Sequence, residues 1–239
     1  MKRKLLITLW LLVPVILLAY HSGPGQSALS CDKAAALARQ ANAFEKAGDW
    51  ENALESYRNA AAALPPDDKA NQYKLRLAAA NARMYTGELP EAMQDMDNLL
   101  TEMRKTGTPV NAEREVRGNL ASAQYYAGWL MRLENAPSEE WLEQTENARQ
   151  NFRLLAEQTH GVQPGTAEDY AKNLEAVIRL ERMDLSELQG LPLPKQCQGC
   201  KNCSQKCRGQ KASRSPQPKE KPKDARGAGV GKRPEGSGS

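Results

Sequence analysis

Aromatic residues are scarce, at 5% of the 239-residue chain, with only two phenylalanines among them. That share disfavours a large β-sandwich, whose facing sheets are filled by aromatic and β-branched side chains, and it suits Ala- and Leu-rich helices. Histidine is scarcer still. His21 adjoins an apolar segment and His160 precedes Gly161. Neither can be tied by spacing to a nucleophile and an acid, so a Ser/His/Asp or Cys/His arrangement is unsupported. A phosphate-cradling loop and a dinucleotide fingerprint are both missing. Acidic residues abound, but in amphipathic surroundings they form solvated helix faces. The sequence therefore predicts no enzyme.

What is present is strongly asymmetric. The net charge of +4 conceals a basic C-terminal part, with 12 Lys/Arg against 3 Asp/Glu from Lys195 onward. Lys2, Arg3 and Lys4 form a second basic end, which leaves residues 5–194 at −8. An acidic body between basic ends is suited to self-association of tail and body or to recruiting an acidic partner.

Leu5 to Tyr20 is uncharged and almost wholly apolar, and it follows the three basic residues directly. Its length falls between a signal-peptide core and a full span of about 20 residues. The positive flank holds the N-terminus in the cytoplasm and directs the rest of the chain outward. Ala28-Leu29-Ser30 before Cys31 offers small residues at the two positions a signal peptidase reads. Cys31 also resembles the lipidated cysteine of bacterial lipoproteins, although Ala28 stands where that motif has leucine. Three outcomes stay open: a retained anchor, a cleaved soluble form, or a form lipidated at Cys31. Each places the bulk of the chain outside the cytoplasm. Residues 1–31 are read as signal anchor or signal peptide.

Residues 32–187 carry an internal repeat. Ala41 and Phe44 occupy one helix, Gly48-Asp49-Trp50 the turn, and Ala53, Tyr57 and Ala60 a second helix stopped by Pro65 and Pro66. Small Ala41 and Ala53 allow two antiparallel helices to approach closely, Gly48 supplies the positive φ of a helix end, and proline cannot continue a helix. A second copy has Ala80, Gly87-Glu88-Leu89, Ala92, Met96 and Leu99, with Arg83 in the aromatic position. A third is interrupted. Ala123 and Tyr126 fit its first helix, and Ala148 to Arg153 echoes Ala53 to Arg58. The extra residues either lengthen the helices or loop around Asn135 to Ser138, with the second helix starting at Pro137 or Ser138. Thr166 and Asp169 read as the N-cap and N3 acid of a capping box opening a last, solvating helix. The total is seven helices.

This pattern resembles the tetratricopeptide repeat (TPR) family. The resemblance implies an all-α, TPR-like antiparallel helix-hairpin solenoid of about three repeats plus a capping helix. It also implies a groove for a protein or peptide partner along the first helices. In family register the residue after each small alanine faces that groove, which assigns Asn42, Asn81 and Gln124. Their amides offer donors and acceptors to a peptide backbone, or they brace neighbouring helices. The family's clamp for chaperone C-termini needs lysine where Ala38 stands, so that ligand is not expected.

Beyond the prolines of Leu191–Pro194, residues 188–208 carry Cys197, Cys200, Cys203 and Cys207, a C-x2-C-x2-C-x3-C run. It resembles the cluster-binding run of bacterial ferredoxins, which implies an iron–sulfur cluster or zinc. It departs from them in having Arg208 after the last cysteine, no second motif and polar flanks. Outside the cytoplasm the same thiols pair as disulfides, and local stapling of the tail is a third reading. Residues 209–239 hold one large apolar residue, Val230, and are expected to be disordered. No aromatic residue interleaves their basic charges, so nucleic acid is not an expected partner. The preferred function is a membrane-tethered adaptor that binds a protein partner and supports complex assembly. The alternative is a redox or metal-binding protein that uses the array for docking.

Overall fold

The structure is a computed structural model that describes residues 24–191 together with 10, 12–14 and 194. Among the described residues the fold is all-helical, without strands, and its helices pack in neighbouring pairs as in a helical solenoid. Eight helices run from Pro24. They are α1 (Pro24–Ala47), α2 (Trp50–Ala63), α3 (Lys69–Tyr85), α4 (Leu89–Thr106), α5 (Val110–Leu133), α6 (Ser138–Thr159), α7 (Pro164–Arg182) and α8 (Leu185–Gly190). None is long and apolar enough to cross a membrane. Most of segment 5–20, all four cysteines from 197 to 207, and the tail lie outside the described residues.

The turns follow from local chemistry. Gly48, Gly87 and Gly107 take positive φ at 78°, 86° and 65°, and Asn135 does so at 57° in the α5–α6 turn. Asparagine tolerates that conformation because its short polar side chain bonds locally. Asp49 and Asp68 cap α2 and α3, each accepting at 3.3 Å from a backbone N–H three residues on. Pro137 precedes α6, and Glu139 and Glu140 occupy its first turn, where the helix dipole favours anions.

The interrupted third repeat is resolved in favour of longer helices. α5 has 24 residues and α6 has 22, joined by a tight turn. Two expectations are corrected. Thr166 does not cap α7. That helix starts at Pro164, whose fixed φ suits a first helical position, so Thr166 lies inside the first turn. An eighth helix, α8, adds to the seven expected; at six residues it is too short to show periodicity in sequence. Its Leu188 packs against Trp129, Leu180 and Met183. Arg132 at the end of α5 donates to the carbonyls of Leu180 and Met183 and lies 4.5 Å from the Trp141 ring centroid.

The core is a series of local clusters. Ala41 and Ala53 are both fully buried with Tyr57 and Leu54, Ala80 and Ala92 lie in the next cluster, and Ala121 and Ala148 in the third. Packing in α1 begins at Ala34, its first buried residue, although the helix itself starts ten residues earlier. Trp50 stacks on Tyr85 at 3.9 Å between centroids, which joins the first hairpin to the second. The Tyr57 hydroxyl donates to Glu45 across the first hairpin at 2.6 Å. Burial, and then the Glu45 carboxylate, push that phenol's pKa well above its ordinary value.

Arg76 on α3 meets Glu102 on α4 at 2.5 Å. This hydrogen bond outweighs partial burial and holds the Glu102 carboxyl below the usual carboxylate range. A lowered acid stabilises the fold above its unfolded pKa, about 4.3, and that contribution is lost as pH falls through the folded value. Glu102→Gln is therefore expected to flatten the acid limb of a melting-temperature titration between about pH 5 and pH 2. Because the pair is partly exposed, the effect stays below about 1 kcal/mol. Identical acid limbs for both proteins would show that the pair contributes nothing.

Candidate functional site

Consecutive residues of a helix are offset by about 100°, so one helix presents separate faces to separate neighbours. On α5 these faces can be told apart by their contacts. Ala121 packs with Ala148, Phe152 and Val177 towards α6 and α7. Ala123 and Leu120 pack into the cluster of α3 and α4. The alanine of α5 that corresponds to Ala41 and Ala80, meeting the small residue of its own second helix, is thus Ala121. The residue that follows it is Ser122.

The structure consequently sets Gln124 apart from Asn42 and Asn81. Gln124 shares its side of α5 with Glu113 and Arg117. Its Oε1 accepts from Asn151 Nδ2 at 3.0 Å, and Asn151 Oδ1 accepts from Arg117 Nη1 at 3.1 Å. Arg117 in turn donates to Glu113 at 2.8 Å, and Arg104 of α4 meets the same carboxylate at 3.2 Å. Burial alone would raise Glu113, but the two arginines bring it below the usual carboxylate range. Gln124 therefore ends a string of polar contacts that ties α4, α5 and α6 together, and its amide oxygen is engaged there.

About half a turn away, α5 presents Glu115, Asn119 and Ser122 to the side shared with α3 and α7. Lys74 of α3 acts electrostatically on Glu115, whose carboxyl is raised by desolvation. Tyr170 of α7 reaches α5 at Gly118, where a Cβ would stand 3.3 Å from the Tyr170 hydroxyl. Asn119 and Ser122 each donate to the carbonyl four residues earlier in their own helix. Asn42 does likewise to Ala38 at 2.7 Å. Asn81 is half-buried, and its side chain has no hydrogen bond among the described residues. Of the three amides assigned from sequence, one is internally engaged between helices, one is partly engaged along its own helix, and Asn81 remains presented. Ser122, which follows Ala121, is buried, and its hydroxyl is taken up by the Gly118 carbonyl. The register through Ala121 has a separation of 27 residues to Ala148, which becomes readable only once both helices are known to be long.

Cys31 is exposed on α1 as a free thiol. Among the described residues no three His, Cys, Asp or Glu side chains converge as a metal-binding group. No known family, curated protein or solved structure matches the chain.

Proposed function

We propose that residues 32–187 are a tetratricopeptide-type array that binds a protein or peptide partner and supports assembly of a complex. In this reading segment 5–20 tethers the array to a membrane, with the array outside the cytoplasm. One observation carries the proposal. Three hairpins place a buried alanine pair at the same internal position, Ala41/Ala53, Ala80/Ala92 and Ala121/Ala148. The residues next in sequence, Asn42, Asn81 and Ser122, therefore recur at one register position of successive first helices. Of the three, half-buried Asn81 is the one suited to backbone hydrogen bonds with an extended segment, because Ser122 is buried and donates to Gly118, and Asn42 donates to Ala38.

Photo-crosslinking in native membranes tests this. Asn81→benzoylphenylalanine in the full chain is expected to give a discrete protein adduct. Asn98→benzoylphenylalanine, at an exposed position of α4, is expected to give none. The same adducts at both positions, or none at position 81, would remove the basis for a partner-binding face there.

A further inference from the structure

Helix α4 differs from the other helices of the array in three independent ways. The backbones of α3 and α4, and of α4 and α5, approach each other less extensively than the other consecutive pairs among α1–α7. Beside the buried alanines Ala80, Ala92, Ala123 and Ala127, the space around α4 is filled by long side chains, with Met84, Met93, Met96 and Met103 in one cluster alongside Leu77, Leu99 and Leu120. Ion pairs between helices also gather there: Arg76–Glu102, Arg83–Asp95 and Arg104–Glu113, with Arg83 also meeting Glu88 in the α3–α4 turn. By contrast, Arg117–Glu113, Arg149–Glu146 and Arg153–Glu157 lie within single helices.

Each feature has a mechanical meaning. Methionine has three rotatable side-chain bonds and a polarizable thioether, so it fills a gap in several arrangements of similar energy. A close glycine contact, as at Gly128, where a Cβ would meet Thr145 Cγ2 at 2.6 Å, admits one arrangement only. The pairs Arg76–Glu102 and Arg83–Asp95 include a partner about 40% exposed, so they are weak and screened by salt. They limit sliding without locking it.

We propose that α4 is a compliant seam at which α1–α3 and α5–α8 change their mutual inclination by methionine repacking and stretching of the flanking ion pairs. The seam lies between α3 and α5, so its motion alters the span from Lys74 to Glu115 across the first-helix side. This holds whether or not that side binds a partner.

Single-molecule energy transfer on the full chain tests the seam. Keto amino acids coupled to dyes leave the native cysteines untouched. One pair, at Glu55 on α2 and Gln158 on α6, straddles α4. A control pair, at Val110 on α5 and Glu187 on α8, lies within one block. Raising salt from about 0.05 M to about 0.5 M shortens the screening length several-fold. It is expected to broaden and shift the efficiency distribution of the first pair while the control stays fixed. Replacing the four methionines together (Met84→Leu, Met93→Leu, Met96→Leu, Met103→Leu) conserves volume and is expected to reduce that width roughly by half. A first pair as narrow and salt-insensitive as the control overturns the seam. A leucine variant that folds and is as broad as wild type overturns the role of methionine. If that variant loses cooperative melting, the wild-type comparison decides the question alone.

Discussion

Gly128→Leu is expected to lower stability by about 3 kcal/mol or more, because α5 and α6 touch where a side chain would begin. A Cβ at position 128 would stand 2.6 Å from Thr145 Cγ2 and 3.4 Å from the Trp141 carbonyl oxygen. Thr145 is fully buried, and its hydroxyl already donates to the Leu142 carbonyl at 3.1 Å. A β-branched residue in a helix has little rotamer freedom with which to retreat, so the helices themselves must part. In a domain of this size the loss corresponds to a melting point about 10 °C lower. The smaller change isolates the cause. Gly128→Ala gains about 1 kcal/mol of helix propensity and loses a comparable or larger amount to the clash. Thr145→Ser removes the offending methyl and keeps the hydroxyl. In the double-mutant cycle, the pair Gly128→Ala and Thr145→Ser is expected to be more stable than the single changes sum to, by about 1 kcal/mol or more. Additive effects would mean that the close approach at Gly128 is not what the glycine is for.

The two halves of the array were not equally readable. In the first and second hairpins a turn glycine sits seven residues after the first alanine, and the second alanine follows at twelve. Those spacings fix the register, and Gly48 and Gly87 adopt the positive φ that this reading needs. In the third hairpin the turn recedes to Asn135, and the first helix offers both Ala121 and Ala123. The two lie about 200° apart on the helix, and both are fully buried because α5 is covered on two sides. Burial pattern alone therefore permits either register. Only contact with Ala148 selects Ala121, and with it Ser122 in place of Gln124. The start of α7 was misread for a related reason. Thr166 and Asp169 satisfy a capping pattern, but Pro164 already has helical φ and begins the helix earlier. The Arg132 clasp on the α7 C-terminus joins residues 48 and 51 positions apart, a separation that helical periodicity does not encode.

The sharpest test of the repeat architecture is Ala53→Trp. Ala53 and Ala41 have no exposed surface and lie in one cluster with Leu54, Tyr57, Ala79 and Ala82. An indole at position 53 has no void to enter, so α1 and α2 must separate, at a cost beyond the usual 1–3 kcal/mol of overpacking. Ala43→Trp places the same side chain at an exposed position of α1 and is expected to change stability by less than about 1 kcal/mol. The spatial pattern of the damage matters more than its size. In a solenoid each hairpin contacts its neighbours, so unfolding of one end need not propagate. Hydrogen exchange of Ala53→Trp is therefore expected to show lost protection through α2 and the packed part of α1, weakened protection in α3, and unchanged protection in α5, α6 and α7. The far cluster of Ala121, Ala148, Phe152, Leu155 and Val177 contains no residue of the first hairpin, so nothing in its packing depends on Ala53. Uniform loss of protection from α1 to α8 would contradict this, because it would require one cooperative core in place of a chain of local ones.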